Sequence, residues 1–418
     1  MCLIPNASGN GMMICGSKAA KKIFFLAKEA LAVSQFSDRV DLQEVYREIQ
    51  RILAKKLLFP NLDEVNIELI ETTLASVVKT ASKKCADRTH LLPCNLIQED
   101  EDRNSPTIIV IGPVTFRRTT KLIEDLEPLF DAYVQASENS NISEKKEYRK
   151  NQSEIAASYY RKFGWIARVD VQGCDPAVSY RKARAAVSSA VDGLHVLLGD
   201  FSEKFQMEGQ PSSGSDHRAK LAVESGSLRV SVSTHFHHER GVDDLSNFFA
   251  GEDKKELLNL IGLTVASQMN SILSRPLCNR LTDASSWYGK GIRERDDAMR
   301  IIQFVTALER LVVTSEVANN KITEKFRSRV GALCSGRSAY FNVEDAIRTA
   351  YTLRSKLVHG YISQFSQNLE ATSYRLSLLC RWAIGSAYLS FGREMLVSDK
   401  VKDKHVSEWY ENLIEAIR

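Results

Sequence analysis

The sequence predicts an α+β chain: an N-terminal helical and small α/β region followed by a C-terminal all-α helical bundle. Three observations lead to this. From Lys254 to the end, apolar residues recur at three- and four-residue steps, the period of helices with one buried face. The middle third carries three short runs, 107–116, 164–173 and 225–238, with β-branched or alternating patterns. The first hundred residues return to helical spacing. Composition places the boundaries at 1–100, 101–245 and 246–418, an N-terminal helical region, an α/β sensing or regulatory region and the helical bundle.

At 418 residues the chain has room for two or three domains. Apolar residues are 44% and charged residues 26%, an ordinary globular balance. A net charge of +4 is mild, so any nucleic-acid-binding patch has to be local. The eight cysteines include no C-x-x-C pair, as expected of reduced thiols in a cytosol rather than a disulfide framework. No apolar run reaches membrane-spanning length. The opening MCLIPNASGNGMMICGSKAAKK has its basic residues after its apolar part, the wrong order for a secretory signal. The expected location is cytoplasmic, with no membrane partner.

In chain order, residues 1–17 read as irregular, and helices follow over 18–34, 42–57 and 62–84. A connecting stretch leads to 107–116, read as a buried strand ended by Gly112-Pro113. A helix is expected over 119–135, a polar loop next, and then a helix through Phe163. In GWIARVDVQG, Ile166, Arg168 and Asp170 alternate with Ala167, Val169 and Val171, a strand pattern. Asp175-Pro176 opens a helix with proline in its first turn. Residues 199–220 read as turn-rich, and 225–238 as strand. Downstream, six helices are expected over 257–273, 293–314, 323–333, 342–359, 368–397 and 406–417, which pack most naturally as an up-and-down bundle.

The most informative stretch is FNVEDAIRTAYTLRSKLVHGY, 341–361. Asn342 is a good N-cap, Glu344 and Asp345 follow in the first turn, and Gly360 suits a left-handed C′ position after His359. Val343, Ala346, Ile347, Ala350 and Leu357 define an apolar face, and Arg354 falls on the same line. Burying an arginine there is costly unless a nearby group needs its charge. Glu309 lies likewise on the apolar stripe of its helix, with Ala298, Ile301, Ile302, Val305, Leu308 and Val312. Two misplaced charges on neighbouring helices imply a partnered pair, either a structural salt bridge or a carboxylate that orients Arg354 toward a phosphate.

Arg354, four intervening residues and His359 spell R-x4-H, here RSKLVH followed by Gly360. This segment resembles the R-x4-6-H signature of HEPN domains, and RSKLVHG is similar to the version in the Apea-like HEPN group, where a small polar residue such as Ser355 commonly follows the arginine. The resemblance spans roughly 285–400 and takes in WYGKG at 287–291 and the FVTALERLVV helix. It implies an HEPN-like bundle acting as an endoribonuclease, with Arg354, His359, Glu309 and Ser355 at the catalytic centre and Lys356 against the RNA. It also implies a homodimer through the C-terminal domain with both motifs facing one cleft. Similar proteins are toxins of abortive infection in anti-phage defence that cut cellular RNA, often tRNA, after a phage-derived or host trigger is sensed, here by the N-terminal region.

The residues suit that chemistry. Imidazole titrates near neutrality and shuttles a proton from a ribose 2′-OH or to a departing 5′-oxygen, while an arginine fork stabilises the crowded phosphate oxygens. No metal and no cofactor is required on this route. Five residues turn a helix by about 500°, which leaves Arg354 and His359 about 140° apart around the axis. His359 as a plain helix C-terminal histidine is the alternative. At the level of the whole chain, the alternative is a non-catalytic HEPN dimerisation or RNA-binding module in a regulatory or defence complex.

Elsewhere, Arg181, Lys182 and Arg184 form a basic helix face, and Arg117 and Arg118 another; each is either solvated or a support for a phosphate backbone. His235, His237 and His238 lie in a strand-like run, and Cys85-x4-His90-x3-Cys94 offers three soft ligands without a local fourth. Both read better as packing than as metal sites. G-x-x-x-x-G-K-[ST] and G-x-G-x-x-G are absent, which argues against a nucleotide-driven motor and a dinucleotide enzyme.

Overall fold

A computed structural model of the chain describes residues 2–5, 12–52, 67–96, 108–120, 143–203, 205–207, 215–224, 227–236, 251–270, 275–337, 341–364 and 369–417, with positions 124, 128, 131, 135 and 366. The architecture is mixed helix and strand, with helices throughout the C-terminal part. Two compact units emerge, both discontinuous in sequence: residues 1–90 with 170–184, and residues 91–169 with 185–418.

In the first unit, β1 (Cys2–Pro5) pairs antiparallel with β2 (Met12–Cys15), in a stretch whose sequence reads as irregular. Helices α1 (Ser17–Ala32), α2 (Leu42–Ile52) and α3 (Ile67–Ser82) follow. Their core is Ile23, Ala27 and Leu31 against Val45, Ile49, Val77 and Val78, the residues that helical spacing puts on one side. The remaining expected helical residues, 53–57 and 62–66, lie outside the described residues, as does most of 119–135.

The five-stranded sheet has the order β4-β5-β6-β3-β7. β3 (Ala86–Asn95) occupies what reads as a connector, because Pro93 and the charged start of ADRTHLLPCN hide a strand pattern. The run 107–116 is not one buried strand. It forms a hairpin, β4 (Ile108–Ile111) and β5 (Val114–Arg118), turned by Gly112-Pro113, with Ile111 opposite Val114. Gly112 has φ +55°, the positive value that the first position of a two-residue turn demands. Ile108 and Val110 are exposed, so β4 is covered on one face only. β6 (Trp165–Cys174) shows the expected alternation from Arg168 onward, with Val169 and Val171 buried and Arg168 and Asp170 exposed, while Trp165, Ile166 and Ala167 are all buried. β7 (Gln206–Met207) is short, and β8 (Ser215–Glu224) pairs with β9 (Ser227–Phe236) in a separate hairpin where the sequence reads as turns followed by one strand.

Helix α4 (Ser143–Tyr160) precedes β6, and α5 (Pro176–Leu198) follows it. Asp175 caps α5 by accepting from Val178 N at 2.8 Å. The C-terminal helices are α6 (Glu252–Met269), α7 (Pro276–Arg293), α8 (Asp297–Val312), α9 (Ile322–Leu333), α10 (Val343–Val358), α11 (Leu369–Val397) and α12 (Asp403–Ile417). Helix α7 is one more than the sequence pattern yields. The expected long helix 368–397 is interrupted at Gly392, whose φ of 63° and ψ of 179° are not helical.

Buried and half-buried arginines meet the C-termini of two of these helices. Arg381 Nε donates to Val196 O at 3.1 Å and its Nη2 to Leu197 O, receiving the free carbonyls at the end of α5. At the end of α8, Arg280 Nη1 donates to Arg310 O at 2.8 Å and Val313 O at 2.7 Å, and Arg329 Nη1 to Val312 O at 2.7 Å. A cation at a helix C-terminus is favoured by the dipole as well as by the unpaired carbonyls.

Candidate functional site

Helix α10 is built as its sequence dictates. Asn342 Oδ1 accepts from Asp345 N at 2.9 Å at the N-cap. At the other end His359 is the C-cap, Gly360 takes φ +73°, and Tyr361 N donates to Lys356 O at 2.8 Å. The apolar face is narrower than its spacing implies. Ile347 and Ala350 are buried, while Val343, Ala346 and Leu357 keep some exposure.

Arg354 meets Glu309 of α8, Nη2 to Oε2 at 3.4 Å, with side-chain exposures of 31% and 23%. Burial pushes the Glu309 carboxyl above the usual glutamate range, and the nearby Arg354 and Arg310 charges pull it back only in part. Unlike Arg280, Arg329 and Arg381, Arg354 donates to no backbone carbonyl among the described residues, and its buried Nε, like those of Arg280 and Arg329, has no hydrogen-bond partner there. The guanidinium is therefore held by one carboxylate and still reaches solvent.

His359 is exposed one residue beyond the helix, and its ring lies 6.2 Å, centroid to centroid, from that of Tyr361. Tyr361 is 80% exposed and Val358 52%. No hydrogen bond joins Arg354 to His359 among the described residues. Ser355 is half-buried and Lys356 exposed on the same turn. An open groove of about 440 Å³, lined by Arg327, Ser328, Gly331 and Glu344 among others, runs beside the N-terminal half of α10 rather than at Arg354.

Arg181, Lys182 and Arg184 belong to the first unit and are engaged there. Arg181 Nη1 pairs with Asp41 Oδ2, Lys182 Nζ stands 3.6 Å from Asp38, and Arg184 lies 5.7 Å over the Tyr180 ring. Arg118 lies 4.5 Å over the Trp165 ring. Among the described residues, no group of three or more histidine, cysteine or acidic side chains is placed to hold a metal. His90 Nε2 bonds Ser179 Oγ at 2.6 Å, Cys85 Sγ faces Arg39 O at 3.8 Å, and Cys94 Sγ faces Leu92 O at 3.5 Å. His235 lies on β9 opposite Asp216, and His237 and His238 fall outside the described residues.

A second polar cluster escapes sequence reasoning. Asp192 and His195, one turn apart on α5, are both buried. Arg293 Nη1 donates to Asp192 Oδ1 at 3.1 Å and to His195 Nε2 at 2.6 Å. Ser202 Oγ donates to Gly199 O at 2.6 Å, so it receives its 2.7 Å bond from His195 Nδ1–H. His195 is thus neutral, and burial and the Arg293 charge hold its pKa well below the usual histidine range. Both ring nitrogens are occupied, leaving no lone pair for general-base work, and Ser202 is not activated. Burial pushes Asp192 up to about 6, against the opposing pull of Arg293. The signal was present in AVSSAVDGLHVLLG: two ionisable residues inside a small and apolar helical run.

Gly289 makes this cluster possible. A Cβ at that position would stand 2.3 Å from Asp192 Oδ1 and 2.9 Å from His195 Cδ2. Gly291, two residues on, lies equally close to the Phe304 ring, 2.4 Å from a built Cβ.

Compared with known proteins, the chain matches no family model, no curated protein and no solved structure. Functional assignment therefore depends on the chemistry of these residues and on the motif resemblance.

Proposed function

We propose that the C-terminal helical region is an HEPN-type endoribonuclease that cuts RNA by metal-independent attack of the ribose 2′-OH on the adjacent phosphate. The observation that supports this reading best is the state of Arg354. It is oriented by Glu309 at 3.4 Å, makes no helix cap among the described residues and retains 31% exposure on the helix that the exposed His359 ends. In this reading Arg354 stabilises the phosphate in the transition state, His359 moves the proton, and Glu309 is a positioning residue. Ser355 and Lys356, on the same turn, complete the phosphate contacts.

The exposed Val358 and Tyr361 next to the motif support a second copy covering this face, so the enzyme is proposed to work as a homodimer. Its role as a toxin of abortive infection, with tRNA as one target and trigger sensing by the N-terminal region, comes from the resemblance alone.

The test is incubation of the full chain with cellular RNA in excess EDTA, followed by determination of the product ends. Cleavage leaving a 2′,3′-cyclic phosphate and a 5′-hydroxyl is expected. His359→Ala should lower the rate by about 10²–10⁴-fold. Activity abolished by EDTA and restored by a divalent ion would overturn the reading.

A further inference from the structure

Helix α1 displays a cationic face that the catalytic reading does not use. Its apolar side, Ile23, Ala27 and Leu31, is buried in the core of the first unit, and Phe24 packs edge-on to Tyr46 at 5.8 Å. Phe25 is left 61% exposed on the opposite side. At 100° per residue, Lys18, Lys21, Lys22 and Lys28 all fall within about 60° of Phe25 around the axis, along about 15 Å of helix. All four lysines are exposed, and none makes a hydrogen bond or ion pair among the described residues. Glu29 is the single acid of SKAAKKIFFLAKEALA. Lys21, Lys22, Phe25 and Leu26 border a shallow open depression.

We propose that this face of α1 binds a single strand of RNA, with a base stacked on Phe25 and the flanking phosphates held by Lys18, Lys21, Lys22 and Lys28. Charge complementarity selects a polyanion: among the described residues four unpaired lysines, against the single acid Glu29, share the face of one exposed aromatic ring. A flexible strand offers both parts of the match, because every base has a π-face and every nucleotide a phosphate. A lipid surface fits less well. Interfacial helices bind through the apolar face they insert, and in α1 that face already forms the unit's core, leaving Phe25 almost alone. An extended acidic peptide would satisfy the lysines but gives the exposed ring no stacking partner. The choice of RNA over another polyanionic strand rests on the ribonuclease reading; the location of the face does not.

The test uses the full-length His359→Ala chain, so that RNA is not consumed, and a fluorescein-labelled 12-nucleotide single-stranded RNA followed by anisotropy. Adding Phe25→Ala should weaken binding by about fivefold or more. Adding Lys21→Gln and Lys22→Gln together should lower the salt slope of the binding constant by about 1.4. Because these side chains are exposed, circular dichroism should show each variant folded. Unchanged RNA affinity in both variants overturns the proposal. So does Phe25-dependent flotation with phosphatidylserine vesicles, or Phe25-dependent capture of a poly-glutamate peptide, with RNA affinity unaffected. RNA binding that depends on Phe25 in a chain whose wild type never cleaves RNA would sink the nuclease reading and leave this one standing.

Discussion

Arg354 and Glu309 hold each other at 3.4 Å across two helices, each with part of its charged group in solvent. The pair is too wet for a core salt bridge and too desolvated for a surface one. Burial raises Glu309, so the neutral acid is the form the fold prefers. Stability from this group is fully present below the ordinary glutamate range and is lost as pH rises through the raised value.

Glu309→Gln should therefore gain on wild type in thermal stability as pH increases from 4 to 8, by less than about 1 kcal/mol. The loss of RNA cleavage should grow with pH over the same range, since Gln cannot orient the guanidinium by charge and Glu309 does so only when ionised. Parallel thermal melts and cleavage assays over that range check both parts. A glutamine variant with wild-type activity would remove Glu309 from the positioning role.

At the buried cluster, Arg293→Ala leaves Asp192 and His195 Nε2 without their donor. Truncating one partner of such a pair costs about 3–5 kcal/mol. The loss should be greater at pH 8 than at pH 5, because Asp192, already raised to about 6, protonates at the lower pH. Asp192→Asn retains the acceptor and avoids the buried charge, so it should gain on wild type as pH rises through 6. Denaturant unfolding at the two pH values decides this.

Gly289→Ala should destabilise by about 1–3 kcal/mol, the range for an overpacked core. Its Cβ would lie 2.3 Å from a carboxylate oxygen that Arg293 fixes, so neither neighbour yields cheaply. The control is Gly331→Ala, where nothing stands within 4 Å of the built Cβ and helix propensity alone should stabilise. Equal melting temperatures for the two variants would contradict the packing account.

The same Gly289 explains where the sequence was hard to read. Helices such as α8 and α10 declare themselves through apolar spacing and through caps like Asn342 and Gly360, because those signals are local. PLCNRLTDASSWYGKGIR conceals α7: Gly289 and Gly291 lower its helix propensity, and the close contacts that require them are far away in the chain. β8 starts in a stretch that reads as turns because Pro211, Gly214 and Ser215 lead into it, and only pairing with β9 makes the register visible. Arg354 and Glu309 are legible because a charge on an apolar stripe is conspicuous. Asp192 and His195 carry the same mark, yet their partner Arg293 lies about a hundred residues on and carries no mark of its own.

The arrangement of Arg354 and His359 leads to the last prediction. His359 sits beyond the final helical turn, about 140° around the axis from Arg354 in helical terms, and the two side chains do not meet. One helix therefore presents them in different directions. A second copy placed over the exposed Val358 and Tyr361 gives each phosphate access to an arginine and a histidine from different chains. Under that geometry, an Arg354→Ala chain and a His359→Ala chain, each inactive alone, form mixed dimers with one intact pair. Mixing them in equal amounts should restore about a quarter of wild-type cleavage per dimer, half the dimers being mixed and each carrying one of two sites. Val358→Asp, which places a charge on the covered face, should abolish both dimerisation and the recovery. Sedimentation showing a fully active monomer at nanomolar concentration would exclude the shared arrangement.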